Sequence, residues 1–278
     1  MSNSMHKTFY STLLLALALA AAGRANAQAD SVAIMRRFLQ VCNDYKQLPI
    51  QLDLDVRNSS NIVLSGNDTG DQKIGFYLSR EGSYIAMGGV EQLANDSLLL
   101  LVNKATKRMI LMANHQSIAA RLKETMGMQM QDSSVDLLAA RYTATEPPPV
   151  KDTAAIELKS RALLYHTQLP REEITIRYHA ATNQPMEVIT TKRSLLSVSD
   201  SVYREVSGRA EWAGKTVSVH DSSFYLLKEQ VVVFRYRKIT HEQTDGLPVR
   251  ISDRLIAEGR GNYHPVGTYA DFVLSRQF

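Results

Sequence analysis

The chain has 278 residues, of which 44% are hydrophobic and 22% charged, with 32 Lys and Arg against 28 Asp and Glu. These proportions exclude a disordered chain, a collagen and a disulfide-stapled scaffold, and the single Cys42 can supply neither an internal disulfide nor a zinc cluster. The formal charge of +4 hints at a nucleic-acid partner, but only if every residue belongs to the working protein.

Residues 1–27 are expected to be removed. His6 and Lys7 give a weakly basic start, Leu13 to Ala22 is an uninterrupted apolar run, and Ala25-Asn26-Ala27 places small residues at the −3 and −1 positions. That is the three-part pattern of a cleaved secretory signal. A membrane anchor is the competing reading, but ten apolar residues at about 1.5 Å each fall short of a hydrocarbon core about 30 Å thick. No Cys stands at the cleavage point, as a lipoprotein signal would need, because Cys42 follows Val41 well beyond it. Residues 28–278 then carry 30 basic against 28 acidic side chains, a balance of +2, with no run of Lys and Arg to follow a phosphate backbone. No later stretch approaches 18 apolar residues, so a soluble, periplasmic or otherwise secreted domain over 28–278 is expected, with no transmembrane segment.

In chain order, residues 29–47 read as a helix, with Ile34, Phe38, Val41 and Tyr45 on one face and Asp30 or Ser31 as cap. Cys42 shares that face, where a buried small hydrophobe is expected over a reactive thiol. Ile50, Leu52, Leu54 and Val56 alternate with Gln51, Asp53, Asp55 and Arg57, the period of a strand with one dry and one wet face. Asp53 and Asp55 therefore belong to a solvated face rather than to a paired-carboxylate site. Residues 58–71 carry turn punctuation, and strands are expected at 73–80 and 83–88. Leu98 to Asn103 and Arg108 to Met112 form a further pair, turning at Lys104 to Lys107. Leu98-Leu99-Leu100-Leu101-Val102 has no polar face, so it is buried on both sides or turns one side to a partner or ligand.

Residues 116–142 read as helical. Ile118, Leu122, Met126 and Met130 lie four apart, and Val135, Leu138 and Tyr142 continue in a second helix capped by Asp132-Ser133-Ser134. Half of the ten methionines fall between 109 and 130. Such a cluster suits a surface that adapts to varied apolar partners, or simple core packing. Pro147-Pro148-Pro149 reads as a loop returning to the same sheet. Strands resume at 154–163, 173–179, 186–193, 223–239 and near 268–276, the fourth as one bent strand or a hairpin about Lys228-Glu229-Gln230. Residues 194–222 give no clear element, with Trp212 expected in the core, and 249–258 could be helix or strand. The order is α+β: a single large twisted antiparallel sheet with an N-terminal helix and a helical insertion.

No nucleophile elbow, paired-His zinc motif, phosphate loop or dinucleotide fingerprint is present. His115, His166, His179, His220, His241 and His264 are dispersed, and His241-Glu242 fails as a zinc motif because position 245 is Asp. No catalytic residue, cofactor or metal is assigned.

The strand-turn text itself has a resemblance. Gly75-Phe76-Tyr77-Leu78-Ser79-Arg80-Glu81-Gly82-Ser83-Tyr84, then Asn95-Asp96-Ser97-Leu98 to Asn103 with Met109-Ile110-Leu111, then Glu172 to Ile176 with Asn183-Gln184-Pro185-Met186 resemble successive strand pairs of LolA/LolB-type periplasmic lipoprotein carriers. The resemblance covers about residues 30–195. Glu81 stands where that family commonly has Pro, and the chain after 195 is longer. The resemblance implies an incomplete antiparallel barrel, an open half-barrel whose concave apolar face is covered by helices and holds acyl chains of lipid or lipoprotein. It implies Phe76, Leu78, Leu99, Leu101, Ile110, Met112, Ile118, Leu122 and Met126 as lining and Arg80 as the side chain that ties the sheet to the lid. Two other function classes stay open: an envelope protein–protein module with a packed interior, and a hydrolase whose site assembles only in three dimensions.

Overall fold

The computed structural model describes residues 31–42, 47–114, 132–165, 167–219, 223–242, 250–259 and 261–277. The first helix, α1, runs over 31–42 and presents Met35, Leu39, Val41 and Cys42, all buried, to the sheet. Met35, Leu39 and Cys42 are spaced by four and three residues and so share one helical face. Cys42 is packing, at 4% exposure. Arg37 Nη1 donates to both carboxylate oxygens of Glu146 at 2.7 and 2.9 Å, and the backbone N–H of Ala144 donates to Ser31 Oγ. Both contacts hold α1 over the far end of the sheet.

The strands are β1 (Ile50–Ser60), β2 (Gly70–Leu78), β3 (Ser83–Met87), β4 (Val90–Ala94), β5 (Leu98–Asn103), β6 (Arg108–Ala113), β7 (Tyr142–Thr145), β8 (Thr153–Ser160), β9 (Glu172–His179), β10 (Pro185–Val198), β11 (Thr216–Val219), β12 (Ser223–Thr240), β13 (Leu255–Ala257), β14 (Tyr263–Pro265) and β15 (Val273–Gln277). Among the described residues, thirteen of them make one sheet in the order β15-β6-β5-β4-β3-β2-β1-β12-β10-β9-β8-β7, with β11 added beside β12. The two outermost strands of that order do not pair, so the sheet is open rather than a closed barrel. The pairing is antiparallel throughout except for β15, which lies parallel to β6. Helix α2 is Asp132–Arg141 and helix α3 is Asp200–Ser207. No described helix is long and apolar enough to cross a membrane.

Alternation in β1 decides the two faces. Leu52 and Leu54 point to the face that α1 covers, here the inner face, and Asp53 and Asp55 to the outer face. The register carries that choice across the sheet: Leu52 faces Phe76 and Ile239, and Ile156, Ile174, Ile176 and Val188 follow on β8, β9 and β10. With Val135 and Leu138 of α2, these residues form the first core. Each fully buried side chain of this size contributes roughly 1.5–3 kcal/mol.

A second core lies on the opposite face at the opposite end. Leu93, Leu100, Val102, Met109 and Leu111 of β4, β5 and β6 are buried under Ile251 and Leu255, with Tyr84, Tyr263, Tyr269 and Phe272 packed around them. The cover is the C-terminal segment 250–277: a single 3-10 turn at Ile251–Asp253, the β13–β14 hairpin, a second such turn at Gly267–Tyr269, and β15. This explains why β5 is apolar on both sides. Its even residues meet the C-terminal segment and its odd residues meet the inner face.

Several expectations are corrected. Tyr142 opens β7 instead of closing the second helix, because its ring inserts into the first core while its hydroxyl donates to Glu172. Trp212 ends a 3-10 turn, Ala210–Trp212, with no buried residue, so it is not core. Residues 223–240 form one continuous strand rather than a hairpin, with a register shift opposite Asp53 and Leu54. Residues 249–258 hold a 3-10 turn and a short strand, and strand β4 is additional to those expected. The signal segment and residues 116–131 lie outside the described residues.

Candidate functional site

Between β2 and β6 the inner face continues beyond the first core as a set of aligned rows. Phe76 pairs with Ile85, Ile85 with Gln92, Gln92 with Leu101, and Leu101 with Ile110. The row beside it runs Leu78, Ser83, Ala94, Leu99 and Met112. A third row runs Ile74, Met87, Val90, Asn103 and Arg108, so the floor turns polar along one margin. Directly opposed side chains in such rows stand about 5 Å apart, and five strands span about 19 Å.

The floor is apolar and only partly covered. Phe76, Ile85, Leu99, Leu101, Ile110 and Met112 are half-buried, while Met87 and Val90 are 42% and 41% exposed. Leu100 and Leu111, the immediate neighbours on the other face, are completely buried. One strand thus has one filled and one partly open side. The six described lining residues read from the sequence all stand on this face; Leu78 is buried at the margin of the first core. Ile118, Leu122 and Met126 lie outside the described residues. Arg80 is exposed in the turn between β2 and β3, beside the Leu78–Ser83 end of the floor.

The sequence reading missed Ile85, Met87, Gln92 and Val90. Its available signal was the Gly88-Gly89 pair, a two-residue hairpin turn with both φ values in the left-handed region, at 56° and 84°. Gly82 has a separate reason: a Cβ there would meet the Ala94 carbonyl oxygen at 2.9 Å, so the β2–β3 turn packs on the end of β4.

The buried charges serve the architecture. Glu91, on the outer face of β4, accepts from Arg254 Nε at 3.1 Å, Tyr269 Oη at 3.0 Å and Tyr84 Oη at 3.1 Å, with Lys104 Nζ at 2.7 Å. Burial pushes its carboxyl up, but the hydrogen bond from Lys104, the Arg254 charge and the Tyr269 hydroxyl together hold it below the usual carboxylate range. The same burial, with the Glu91 charge, pushes Tyr84 up to about 12, so it stays a neutral donor. Asp68 is held down to about 2, first by Lys228 and then by the backbone N–H groups of Leu64 and Ser65. These pairs fasten segments to the sheet. Among the described residues no group of three or more His, Cys, Asp or Glu is placed to hold a metal ion.

No family model matches the chain, and no curated protein matches it. Solved structures do. The chain is similar to a LolA superfamily protein from Nitrosomonas europaea, 10% identical, covering 77% of this chain and 94% of that one with a TM-score of 0.26. It is similar to a DUF1329 family protein from Desulfovibrio piger, 8% identical, covering 81% and 98% with a TM-score of 0.30. It is also similar to a domain described as an outer membrane lipoprotein-sorting protein from Vibrio parahaemolyticus, 10% identical, covering 75% and 93% with a TM-score of 0.23.

Proposed function

We propose that the chain is an extracytoplasmic carrier or binder of acyl chains, held against the inner face of β2–β6. The observation that carries this reading is the row Phe76–Ile85–Gln92–Leu101–Ile110, apolar but for one residue, flanked by a second row of the same kind and only half covered. An apolar floor of this extent is a site for an apolar occupant. Each methylene transferred to it from water contributes about 0.8 kcal/mol, so a chain is held without any catalytic group. The same reading assigns Ile118, Leu122 and Met126, which lie outside the described residues, to the acyl contact, and Arg80 of the β2–β3 turn to its margin. The N-terminal signal pattern and the resemblance to lipoprotein carriers support an acyl group of lipid or lipoprotein as cargo in the periplasm.

Native mass spectrometry after mild purification tests this directly, together with uptake of a fluorescent fatty acid. Co-purified lipid or saturable uptake is expected, with uptake at least tenfold weaker in Leu101→Glu/Ile110→Glu. A folded wild-type sample with neither lipid nor uptake overturns the reading and favours the protein–protein alternative.

A further inference from the structure

The outer face of the sheet carries a second concavity, on the side away from the acyl floor. It is a groove of about 1040 Å3 across β8, β9, β10 and β12, walled by Pro147, Pro148 and Val150. Its floor is a row set by the register: Ala155 faces Arg177, Arg177 faces Glu187, Glu187 faces Arg235, and Arg235 faces Asp55. Glu187 Oε2 accepts from Arg177 at 2.7 Å and Oε1 from Arg235 at 2.8 Å, and Arg237 donates to Asp55 at 2.6 Å. Lys151 and Lys238 also line the groove, and among the described residues neither is ion-paired. Five cations, Lys151, Arg177, Arg235, Arg237 and Lys238, therefore line the groove with two carboxylates, Glu187 and Glu157, the latter with Lys159 at 3.7 Å; Asp55 and Asp53 stand beside the lining, opposite Arg235 and Lys238.

We infer that this groove binds an acidic, extended segment of a partner protein. Each of the two arginines spends one N–H on Glu187, which fixes its plane, and a guanidinium has five. Their side chains are about half exposed, at 51% and 54%, so the remaining donors are preorganised for carboxylates. His179 adds a buried Nδ1 with no hydrogen-bond partner among the described residues. The apolar edges are exposed: Val150 is 72% and Met186 45% accessible. Basic floor and apolar rim together fit alternating acidic and apolar side chains. Size and shape select the occupant further. Four strands span about 14 Å, the reach of four or five extended residues and more than one phosphate fills. A recessed floor also keeps its arginines from a flat bilayer surface.

The test uses a fluorescein-labelled decapeptide of alternating Glu and Leu, its Gln–Leu counterpart, and phosphatidylglycerol vesicles, against the full chain. Saturable anisotropy with the Glu peptide is expected, weakening steadily as salt rises, and absent with the Gln peptide. Lys151→Glu/Lys238→Glu alters two exposed side chains and is expected to keep the chain folded, with a melting temperature close to wild type. It is expected to weaken peptide binding at least tenfold while fatty-acid uptake stays intact, which separates this site from the acyl floor. No saturable binding, equal binding of the Gln peptide, or indifference to the charge reversal overturns the inference. Binding to vesicles with none to peptide overturns it in favour of a membrane surface.

Discussion

At the scale of single residues, the largest commitment is Arg254. It is completely buried, its guanidinium lies over the rings of Tyr84 and Tyr269 at 5.6 and 5.4 Å, and its partner Glu91 is almost as deep. Removing one member of such a pair strands the other charge. Arg254→Met is therefore expected to cost about 3 kcal/mol in urea denaturation, and Glu91→Gln a similar amount, with the double change costing less than the two together. Asp68 gives a pH signature. Lys228 and two backbone N–H groups hold its carboxyl at about 2, below the value of an unfolded aspartate, so its contribution is complete above about pH 4 and is lost as pH falls toward 2. Urea midpoints for wild type and Asp68→Asn from pH 6 to 2 should differ most at neutral pH and converge toward pH 2. A gap that persists unchanged at pH 2 removes Asp68 from the acid response. Glu91, also shifted down, adds acid sensitivity of the same sign in both proteins.

At the scale of elements, the C-terminal segment is the piece with the clearest duty. Residues 250–277 cover the outer face of β4, β5 and β6, and β15 occupies the edge that β6 would otherwise expose. Truncation after residue 249 should raise binding of an apolar dye sharply and drive association through β6. Leu255→Ala, a milder change at a buried position, should cost about 2–5 kcal/mol without either effect. A truncated chain that stays monomeric and dye-silent contradicts this assignment. The same segment shows where sequence reading stops. The two-residue period of β1 and the double-sided apolar run of β5 are local, so both were legible in sequence, and so was the common face of Phe76, Leu99, Leu101, Ile110 and Met112. What fills the other side of β5 depends on contacts more than a hundred residues away, which no local period encodes. Strand β4 was missed because its five residues carry Glu91 toward a buried arginine and Gln92 into an apolar row, so polarity does not mark its faces. The outer groove was illegible for a related reason: Arg177, Glu187 and Arg235 lie on three strands and look like ordinary solvated charges one at a time.

At the scale of the whole molecule, the two cores divide the labour. The first, under α1 and α2, holds the inner face of β1, β2 and β7–β10; the second holds β4–β6 from outside. Strands β4–β6 thus have their main burial on the outer face, so their inner face can stay partly open without loosening the strands. Two adjacent leucines test this. Leu100 is fully buried on the outer face, and Leu101 is half-buried on the inner face. The chemistry of the two truncations is identical, so any difference belongs to the environment. Leu100→Ala is expected to cost about 3 kcal/mol of stability, through lost transfer energy and the cavity left behind, and to leave fatty-acid affinity close to wild type. Leu101→Ala is expected to cost about 1 kcal/mol or less, because its side chain never left water completely, yet to weaken fatty-acid binding severalfold. Urea denaturation and fluorescent fatty-acid titration on the same two proteins give both numbers. Equal stability losses would mean that the inner face is as filled as the outer one, and the protein–protein reading would then replace the carrier.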